Sequence, residues 1–250
     1  MISVPCCIDD RFDDCGAFPE GLYVFQNIRT DGHRPLRLAE HIRCLQEAAQ
    51  EMFGTSPHID ARATERSIER LLHDNDYSAT MPSHIAMRHY RTGETALIAR
   101  ETLPYTRMTM RSIYPAAAIV DYDIPFSRQP SSLRESIVAA ASLQAAAAGA
   151  RCVLQRNAAG EIVAADDAPM FVVAERDIIM PEQLPSVEAD IAVEAIRKAG
   201  FHLATASVTA DLLARADELF YVDYRGLTAV SRCGERVYMH IIAERIAQHL

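Results

Sequence analysis

One lysine and two serines limit the chemistry that this chain can perform. Of its 25 lysine and arginine residues only Lys198 is a lysine, so any Schiff-base chemistry would have to use that amine. Lys198 falls in the last turn of a predicted helix before Gly200, where a lysine usually faces water and complements the helix dipole. Ser131 and Ser132 stand at the entrance of another predicted helix, which is a common place for a functional side chain.

Residues 128–150 form the segment that must position these two serines. Pro130 bars a helix before it, and Ser132 with Glu135 three residues later has the pattern of a capping box. The alanine-rich stretch that follows, up to Gly149, predicts a buried helix whose backbone another element can approach closely. Ser132 is therefore the predicted cap, and Ser131 the residue before it.

The other periodicities predict an α+β chain in two parts. In the first part a strand at 21–30 leads through a turn into an amphipathic helix, on which Leu38, Ile42 and Leu45 share one stripe. The second part is predicted to open with a strand at 108–114. The predicted divisions are an N-terminal domain, an interdomain linker and a C-terminal domain, at residues 1–102, 103–107 and 108–250.

Composition and charge exclude several classes of function. The net charge of −9, without a basic run, argues against binding to nucleic acid or to an anionic membrane. No apolar run is long enough to span a bilayer, and acidic residues stand near the N-terminus where a signal peptide needs basic ones, so we predict a cytoplasmic protein. The six cysteines contain no CxxC pair, which favours thiols over disulfides. Adjacent Cys6 and Cys7 hint at metal binding, but two partly buried small apolar residues are the favoured interpretation.

Four segments resemble motifs of the class IV aminotransferases, the fold-type IV enzymes that use pyridoxal phosphate and include D-amino-acid and branched-chain aminotransferases and aminodeoxychorismate lyase. The family's V-F-E-x-I-R, L-x-E-H-x-x-R-L, G-x-V-x-E-x-x-x-x-N-x-F and A-D-E-x-F motifs resemble, in this order, residues 24–32, 38–45, 160–171 and 216–220. The resemblance spans about residues 20–236. It implies an α+β (α/β) chain with the two-domain, D-amino-acid-aminotransferase-like architecture, a ligand cleft between the domains and a homodimer.

The chain departs from the family at the positions that hold the cofactor. By this resemblance the Schiff-base lysine falls on Ser131, the phosphate-binding arginine on Cys44, the glutamate beside the pyridine nitrogen on Ala164, and the following asparagine on Pro169. The turn that presents backbone N–H groups to the phosphate contains Glu188. We therefore predict that pyridoxal phosphate is absent and that no other cofactor or metal replaces it.

The same resemblance suggests which residues face a small-molecule ligand. Phe25, Asn27 and Arg29 alternate on one strand face, and Arg91 falls where several relatives hold the substrate carboxylate, so an acidic ligand is expected. If the protein is catalytic, Cys44 is the candidate nucleophile or acid and Glu188 the candidate base. Further candidates are the residues beside the former lysine position and two that could polarise a carbonyl group, namely Ser131, Arg134, Tyr224 and Arg225.

Plainer interpretations of these residues remain open. Glu188 can be an acid in the first turn of a helix, Cys44 a buried thiol, Ser131 a loop residue and Arg91 a solvated arginine at a strand end. Two other functions also remain open. One is a working pyridoxal-phosphate-dependent aminotransferase or aminodeoxychorismate-type lyase, and the other is a non-catalytic binding pseudoenzyme.

Overall fold

The computed structural model of the chain describes residues 5–9, 11–14, 18–124, 129–175, 177–182 and 186–250. The chain divides into two units, of which unit 1 is Met1–Arg107 with Phe126–Glu135 and unit 2 is Met108–Pro125 with Ser136–Leu250. Residues 129–135 therefore belong with unit 1, although the sequence placed them in the C-terminal domain. The reason is backbone pairing, because Phe25 N–H donates to the carbonyl of Pro130 and Val24 forms a bridge with Ser131.

Unit 1 is one antiparallel sheet with two helices on one face. Its strands in chain order are β1 (Pro5–Ile8), β2 (Arg11–Asp14), β3 (Tyr23–Asp31), β4 (Arg34–Pro35), β5 (Ser83–Tyr90) and β6 (Thr95–Thr102). Their order in the sheet is β2-β1-β6-β5-β3-β4, and every pair is antiparallel. The helices are α1 (Leu38–Phe53) and α2 (Ala61–Asp74).

The core of unit 1 lies between this sheet and the two helices. Leu38, Ile42 and Leu45 of the predicted stripe are buried there, against one face of β3 and β5. Val24 and Ile28 supply that face from β3, so the odd-numbered residues of β3 point to the opposite face of the sheet. This alternation decides which side chains of β3 remain available for a ligand.

Unit 2 has two five-stranded sheets packed on each other. The first contains β7 (Ala116–Asp121), β8 (Cys152–Arg156), β9 (Ile162–Ala165), β15 (Arg232–Cys233) and β16 (Arg236–Val237), in the order β16-β15-β7-β8-β9. The second contains β10 (Met170–Ala174), β11 (Asp177–Met180), β12 (His202–Thr205), β13 (Glu218–Asp223) and β14 (Gly226–Ala229), in the order β12-β11-β10-β13-β14. The remaining helices are α3 (Ser132–Ala147), α4 (Val187–Lys198), α5 (Ala210–Arg215) and α6 (Ile241–Ala247).

The alternation along β10 shows how these layers are joined. Met170 and Val172 point into the core shared by the two sheets, whereas Phe171 and Val173 point into a second core beneath α4 and α6. Both faces of β10 are therefore buried, which explains its uninterrupted apolar sequence. Ala192, Ala195 and Ile196 of α4 lie in that second core, so α4 packs against this face of β10.

Three sequence predictions are wrong. The alanine-rich helix α3 is not buried, because a single layer packs against one side of it. Only Ala141 and Ala145 of this helix are buried, and the Leu143 residue is 75% exposed. Residues 108–114 do not form a strand, since their pairing with the second sheet is limited to a bridge between Met110 and Leu227. The third error concerns Cys6, which is disulfide-bonded although the sequence favoured thiols, because the spacing of cysteines does not determine which of them pair.

Candidate functional site

The face of the unit 1 sheet that the helices do not cover carries a line of polar side chains. Phe25, Asn27 and Arg29 follow one another on this face of β3, as the sequence predicted. Their partners across the sheet on β5 are Arg88, Ala86 and His84, in that order. The register therefore sets one arginine, one alanine and one histidine beside the three predicted residues.

Two of these predicted residues have buried polar contacts. The Arg29 side chain is 4% exposed, and its Nη2 donates to the carbonyl of Tyr105 at 2.5 Å. The Oδ1 atom of Asn27 lies 2.9 Å from Nε2 of His84, whose Nδ1 is 3.2 Å from a carboxylate oxygen of Glu101. Asn27 and Arg29 are thus fixed by their neighbours.

A second cluster on unit 1 joins Tyr23, Arg88 and Glu135. The Tyr23 hydroxyl donates a short hydrogen bond to the Glu135 carboxylate, and the Arg88 guanidinium lies over the Tyr23 ring, 4.3 Å from its centroid. Nη2 of Arg88 is 3.6 Å from Glu135. Burial, followed by the bond to Glu135, raises the pKa of Tyr23, so this phenol stays protonated.

This cluster was not predicted from the sequence. In the sequence Glu135 fits a capping box, and no motif gives a role to Tyr23 or Arg88. The available signal was the period of two along the predicted strand at 84–91, which puts Arg88 on the same face as residues 84 and 86. Which residue of β3 lies opposite Arg88 depends on register, and the sequence does not give it.

Ser131 is the cap of α3, whereas the sequence predicted Ser132. Its side chain is 1% exposed, and its Oγ accepts a 3.4 Å hydrogen bond from the N–H of Arg134, the third residue of the helix. The hydroxyl of Ser132 instead accepts from the backbone N–H of Tyr23 at 3.4 Å. The start of α3 is therefore attached to β3, and Arg134 is half-buried in its first turn.

Two other predicted residues of unit 1 lie elsewhere. Arg91 is exposed in the turn after β5, where its N–H donates to the carbonyl of Leu22, so the structure does not bring it to the polar face. Cys44 is buried on α1, 5% exposed, as expected of a thiol on a helix stripe. The arginine that β5 contributes to the face is Arg88.

In unit 2 the N-terminus of α4 is occupied by a carboxylate of the chain itself. Ser186 caps the helix by accepting from the N–H of Ala189, and its hydroxyl donates to Glu188 at 2.7 Å. Burial raises the pKa of Glu188, and the nearby carboxylates of Asp223 and Asp167 act in the same direction. Glu188 is thus a buried carboxyl group whose pKa lies above that of an ordinary glutamate.

Tyr224 and Arg225 lie next to Asp223, one of the two carboxylates near Glu188. The Arg225 guanidinium lies 4.6 Å from the centroid of the Tyr224 ring, and its backbone N–H donates to Asp223 at 2.7 Å. Arg111 approaches the other oxygen of Asp223 at 4.0 Å. Burial raises the pKa of Asp223, while the charge of Arg225 lowers it. Unit 2 therefore brings together Glu188, Tyr224 and Arg225 around the partly compensated carboxyl of Asp223.

The remaining positions supply neither an amine nor a metal site. Lys198 is exposed in the last turn of α4, the end opposite to Ser186 and Glu188. Ala164 is buried with no polar side chain. Among the described residues no group of three or more His, Cys, Asp and Glu side chains is arranged to hold a metal ion. Within the same ranges no helix has both the length and the apolar composition needed to cross a bilayer.

Comparison with known proteins places this arrangement in a family. A family model described as amino-transferase class IV matches residues 23–232, and the chain belongs to that family. No curated protein matches the sequence.

Three solved structures illustrate the likeness of the fold. The chain is 19% identical to a branched-chain aminotransferase from Thermoproteus uzoniensis, with a TM-score of 0.83 over 99% of this chain and 93% of that one. It is 14% identical to an aminotransferase from Brucella abortus bound to PLP, with a TM-score of 0.83 over 99% and 97%. A putative 4-amino-4-deoxychorismate lyase from Legionella pneumophila is 16% identical, with a TM-score of 0.74 over 90% and 88%. These similarities confirm the fold-type IV architecture. At identities of 14–19% they show the fold alone.

Proposed function

We propose that this class IV aminotransferase-fold protein binds, and as an enzyme transforms, a small carboxylate-bearing molecule without using pyridoxal phosphate. The observation that carries the proposal is Ser131, which stands buried as the cap of α3 at the position that the resemblance gives to the Schiff-base lysine. A serine hydroxyl has no amine with which to form an imine. The chain's one lysine, Lys198, is exposed at the far end of α4.

The anchor for the cofactor phosphate is also missing. A helix N-terminus attracts a phosphate through its free N–H groups, but at α4 the Ser186 hydroxyl bonds the carboxylate of Glu188. A carboxylate about 4 Å from a phosphate charge costs on the order of 4 kcal/mol for each unit pair at an effective dielectric of 20. Cys44, where the family has an arginine, supplies no positive charge. The residues at these positions do not fit pyridoxal phosphate.

The groups that remain are suited to acid–base chemistry on a polar ligand. Glu188 is the proposed general base, because its raised pKa makes its carboxylate a stronger base than that of an ordinary glutamate. Arg225 and Tyr224 are proposed to polarise a carbonyl group, and Cys44 remains a proposed nucleophile or acid. Ser131, Arg134, Phe25, Asn27 and Arg29 are proposed ligand contacts.

A second function is favoured by a specific finding. A relative whose structure holds PLP covers 99% of this chain, and the family to which the chain belongs is named for aminotransferases. A working aminotransferase or aminodeoxychorismate-type lyase is therefore the second candidate. It would require Lys198 to form the imine, or a transfer that uses no lysine.

The first prediction is a negative result with pyridoxal phosphate. The purified protein, mixed with the cofactor, desalted and reduced with borohydride, should show no aldimine absorbance and no stoichiometric mass increase, because Ser131 has no amine and Lys198 is exposed at the far end of α4. The measurement is absorbance spectroscopy followed by intact-mass and peptide analysis. Lys198→Arg is the matched control, since any labelling of an exposed amine disappears in it.

An adduct on Lys198 accompanied by aminotransfer would contradict the proposal and favour the second candidate. A protein that binds carboxylates and turns none of them over would instead be the non-catalytic pseudoenzyme. We further propose a homodimer with a small molecule as its ligand, a cytoplasmic location, and neither nucleic acid nor membrane as a partner. Sedimentation of the purified protein tests the dimer.

A further inference from the structure

Unit 2 contains a groove that shares no residue with the candidate site. It is lined by β7, by the segment that follows α3, by α5 and by the hairpin of β15 and β16. Its volume is about 660 Å³. Sites for small molecules in proteins measure roughly 300–1,000 Å³ and are mostly apolar. The groove is therefore large enough to hold a ligand of its own.

A short strand and short side chains leave this space open. β15 pairs with β7 at Ala116 and Ala117 and then turns back at Gly234, so Ala118 and Ile119 extend past the pairing into the groove. Most residues that line it from the other elements are alanines as well, namely Ala148, Ala150, Ala210 and Ala214. Protein interiors normally fill such a space with larger side chains. Here the methyl groups leave room for an apolar group from outside the chain.

Buried apolar side chains form the floor of the groove. Ala117, Leu213 and Tyr238 line it and belong to the core between the two sheets. The Tyr238 hydroxyl donates to the carbonyl of Leu213 at 3.0 Å, so this tyrosine needs no partner from a ligand. Cavities with apolar walls bind apolar molecules in preference to water. The part of a ligand that lies in the groove is therefore hydrocarbon.

Of the two arginines in the lining, Arg232 is the one suited to a ligand. Nε and Nη2 of Arg236 both donate to the carbonyl of Ala216, at 2.8 and 2.5 Å, and its Nη2 lies 3.8 Å from Asp217. Arg232 is exposed, and its Nη1 donates to the carbonyl of Gly234 over the long distance of 3.5 Å. A carboxylate would give the Arg232 guanidinium a shorter, charge-assisted hydrogen bond.

The remaining charges around the groove also favour an anion. Exposed Arg151 and Arg215 directly follow the lining residues Ala150 and Ala214. The acids at the groove are the lining residue Glu235 and Asp211, which follows Ala210, and both are exposed. With Arg232 there are thus three arginines to two acids, in a chain whose net charge is −9. A local positive excess in an acidic protein attracts a negatively charged group.

We infer that this groove binds an amphiphilic carboxylate, with its hydrocarbon chain along the alanines of β7 and α5 and its carboxylate at Arg232. The groove lies outside the candidate site, so this molecule is a second ligand and the inference does not depend on the proposed function. Its affinity should increase with chain length, because each methylene group that enters the groove leaves water. Its carboxylate should add to that affinity through Arg232.

The thiol of Cys233 provides the test in the unmodified protein. Cys233 lines the groove and is half-buried, whereas the other described free thiols, those of Cys7, Cys44 and Cys152, are buried. Decanoate, kept below the concentration at which it forms micelles, should suppress alkylation of Cys233 by iodoacetamide, measured by mass spectrometry of the Cys233 peptide. Decanoate should protect with about tenfold higher affinity than octanoate, because it adds two methylene groups. Absence of label on Cys44 shows that the fold is intact.

Two variants separate the carboxylate from the chain. Arg232→Gln should weaken protection by octanoate by roughly threefold or more and leave protection by octanol unchanged, as expected for the loss of one exposed ion pair. Its matched control is Arg197→Gln, which removes an exposed arginine from α4. Ala214→Trp places a large side chain in the groove and should abolish decanoate binding in calorimetry. Its matched control is Ala139→Trp on the exposed side of α3, which should bind as the wild type does.

Several results would overturn the inference. They are a Cys233 that decanoate does not protect, equal affinity for octanoate and decanoate, and wild-type binding by Ala214→Trp. Protection by octylammonium equal to that by octanoate would overturn the carboxylate assignment. A dimer that Ala214→Trp dissociates in sedimentation would show that a second copy of the chain fills the groove, and would overturn the inference too. If Ala214→Trp does not fold, Cys233 protection and its dependence on chain length still decide the matter in the wild type.

Discussion

Replacement of Glu218 by alanine should lower the free energy of unfolding by about 3 kcal/mol or more, which is a large loss for a residue outside the candidate site. Glu218 is the glutamate of the A-D-E-x-F segment and is 2% exposed. Its two carboxylate oxygens accept from the backbone N–H groups of Ile242 and Ala243, at 2.8 and 2.9 Å. The side chain of β13 therefore caps the first turn of α6.

The size of this effect follows from what alanine would leave behind. Two buried N–H groups at the start of α6 would lose their acceptors, and each such loss costs about 1–3 kcal/mol. The carboxylate also lies at the positive end of the helix dipole, where a negative charge is favourable. His240, which precedes the helix, offers no side-chain hydrogen bond to replace it.

The measurement is urea unfolding of the wild type, Glu218→Ala, Glu218→Gln and Glu244→Ala. Glu218→Gln keeps one acceptor oxygen and should lose about half as much stability as alanine. Glu244→Ala is the matched control, because it removes an exposed acid from the same helix and should change stability by less than about 0.5 kcal/mol. Equal losses from Glu218→Ala and Glu244→Ala would show that the cap contributes nothing beyond its charge.

The sequence predicted most elements of the fold because their periodicities were local. The strand at 21–30, the helix with Leu38, Ile42 and Leu45 on one stripe, and the helix that became α4 all appear near their predicted positions. The strand expected at 108–114 failed because a strand needs a partner along its length. Met110 finds one only at a single bridge with Leu227. Pairing is a property of the whole chain, so local composition could not exclude this strand.

The candidate site was predictable only where one residue decided its chemistry. Ser131 could be singled out because a lysine is either present or absent at a position, and the structure shows it as the buried cap of α3. The group around Arg88 could not be assigned, because Tyr23, Arg88 and Glu135 come from three distant segments joined by register and by the attachment of residues 129–135 to β3. Motif position instead suggested Arg91, which lies beyond the end of the strand.

His41 should make the stability of the protein sensitive to acid. It is 4% exposed on α1, and its Nδ1 donates to the side-chain oxygen of Gln26 on β3 at 3.0 Å. Burial, with a smaller effect from the charge of Arg37, lowers the pKa of His41 from 6.5 to about 3. The folded protein therefore keeps this imidazole neutral at a pH where the unfolded chain protonates it.

The sign of the effect follows from that difference. Between pH 6.5 and about 3 the unfolded chain binds one more proton at His41 than the folded protein does, so acid favours unfolding. The stability due to the neutral imidazole is complete above pH 6.5 and is lost at up to about 1.4 kcal/mol for each pH unit below it. Acidification from about pH 6.5 to 4.5 should thus remove about 2 kcal/mol through this residue alone.

A comparison with His41→Gln isolates this contribution, because glutamine carries no charge at any pH and every other titrating group is shared with the wild type. Urea unfolding at several pH values should give a wild-type stability that falls faster on acidification than that of His41→Gln, with the two curves diverging by about 2 kcal/mol over this range. His58→Gln is the matched control, since it removes an exposed imidazole from the loop before α2 and leaves the contact between His41 and Gln26 intact. Parallel curves for the wild type and His41→Gln would mean that the folded protein protonates His41 readily, and that the contact with Gln26 does not depend on a neutral ring.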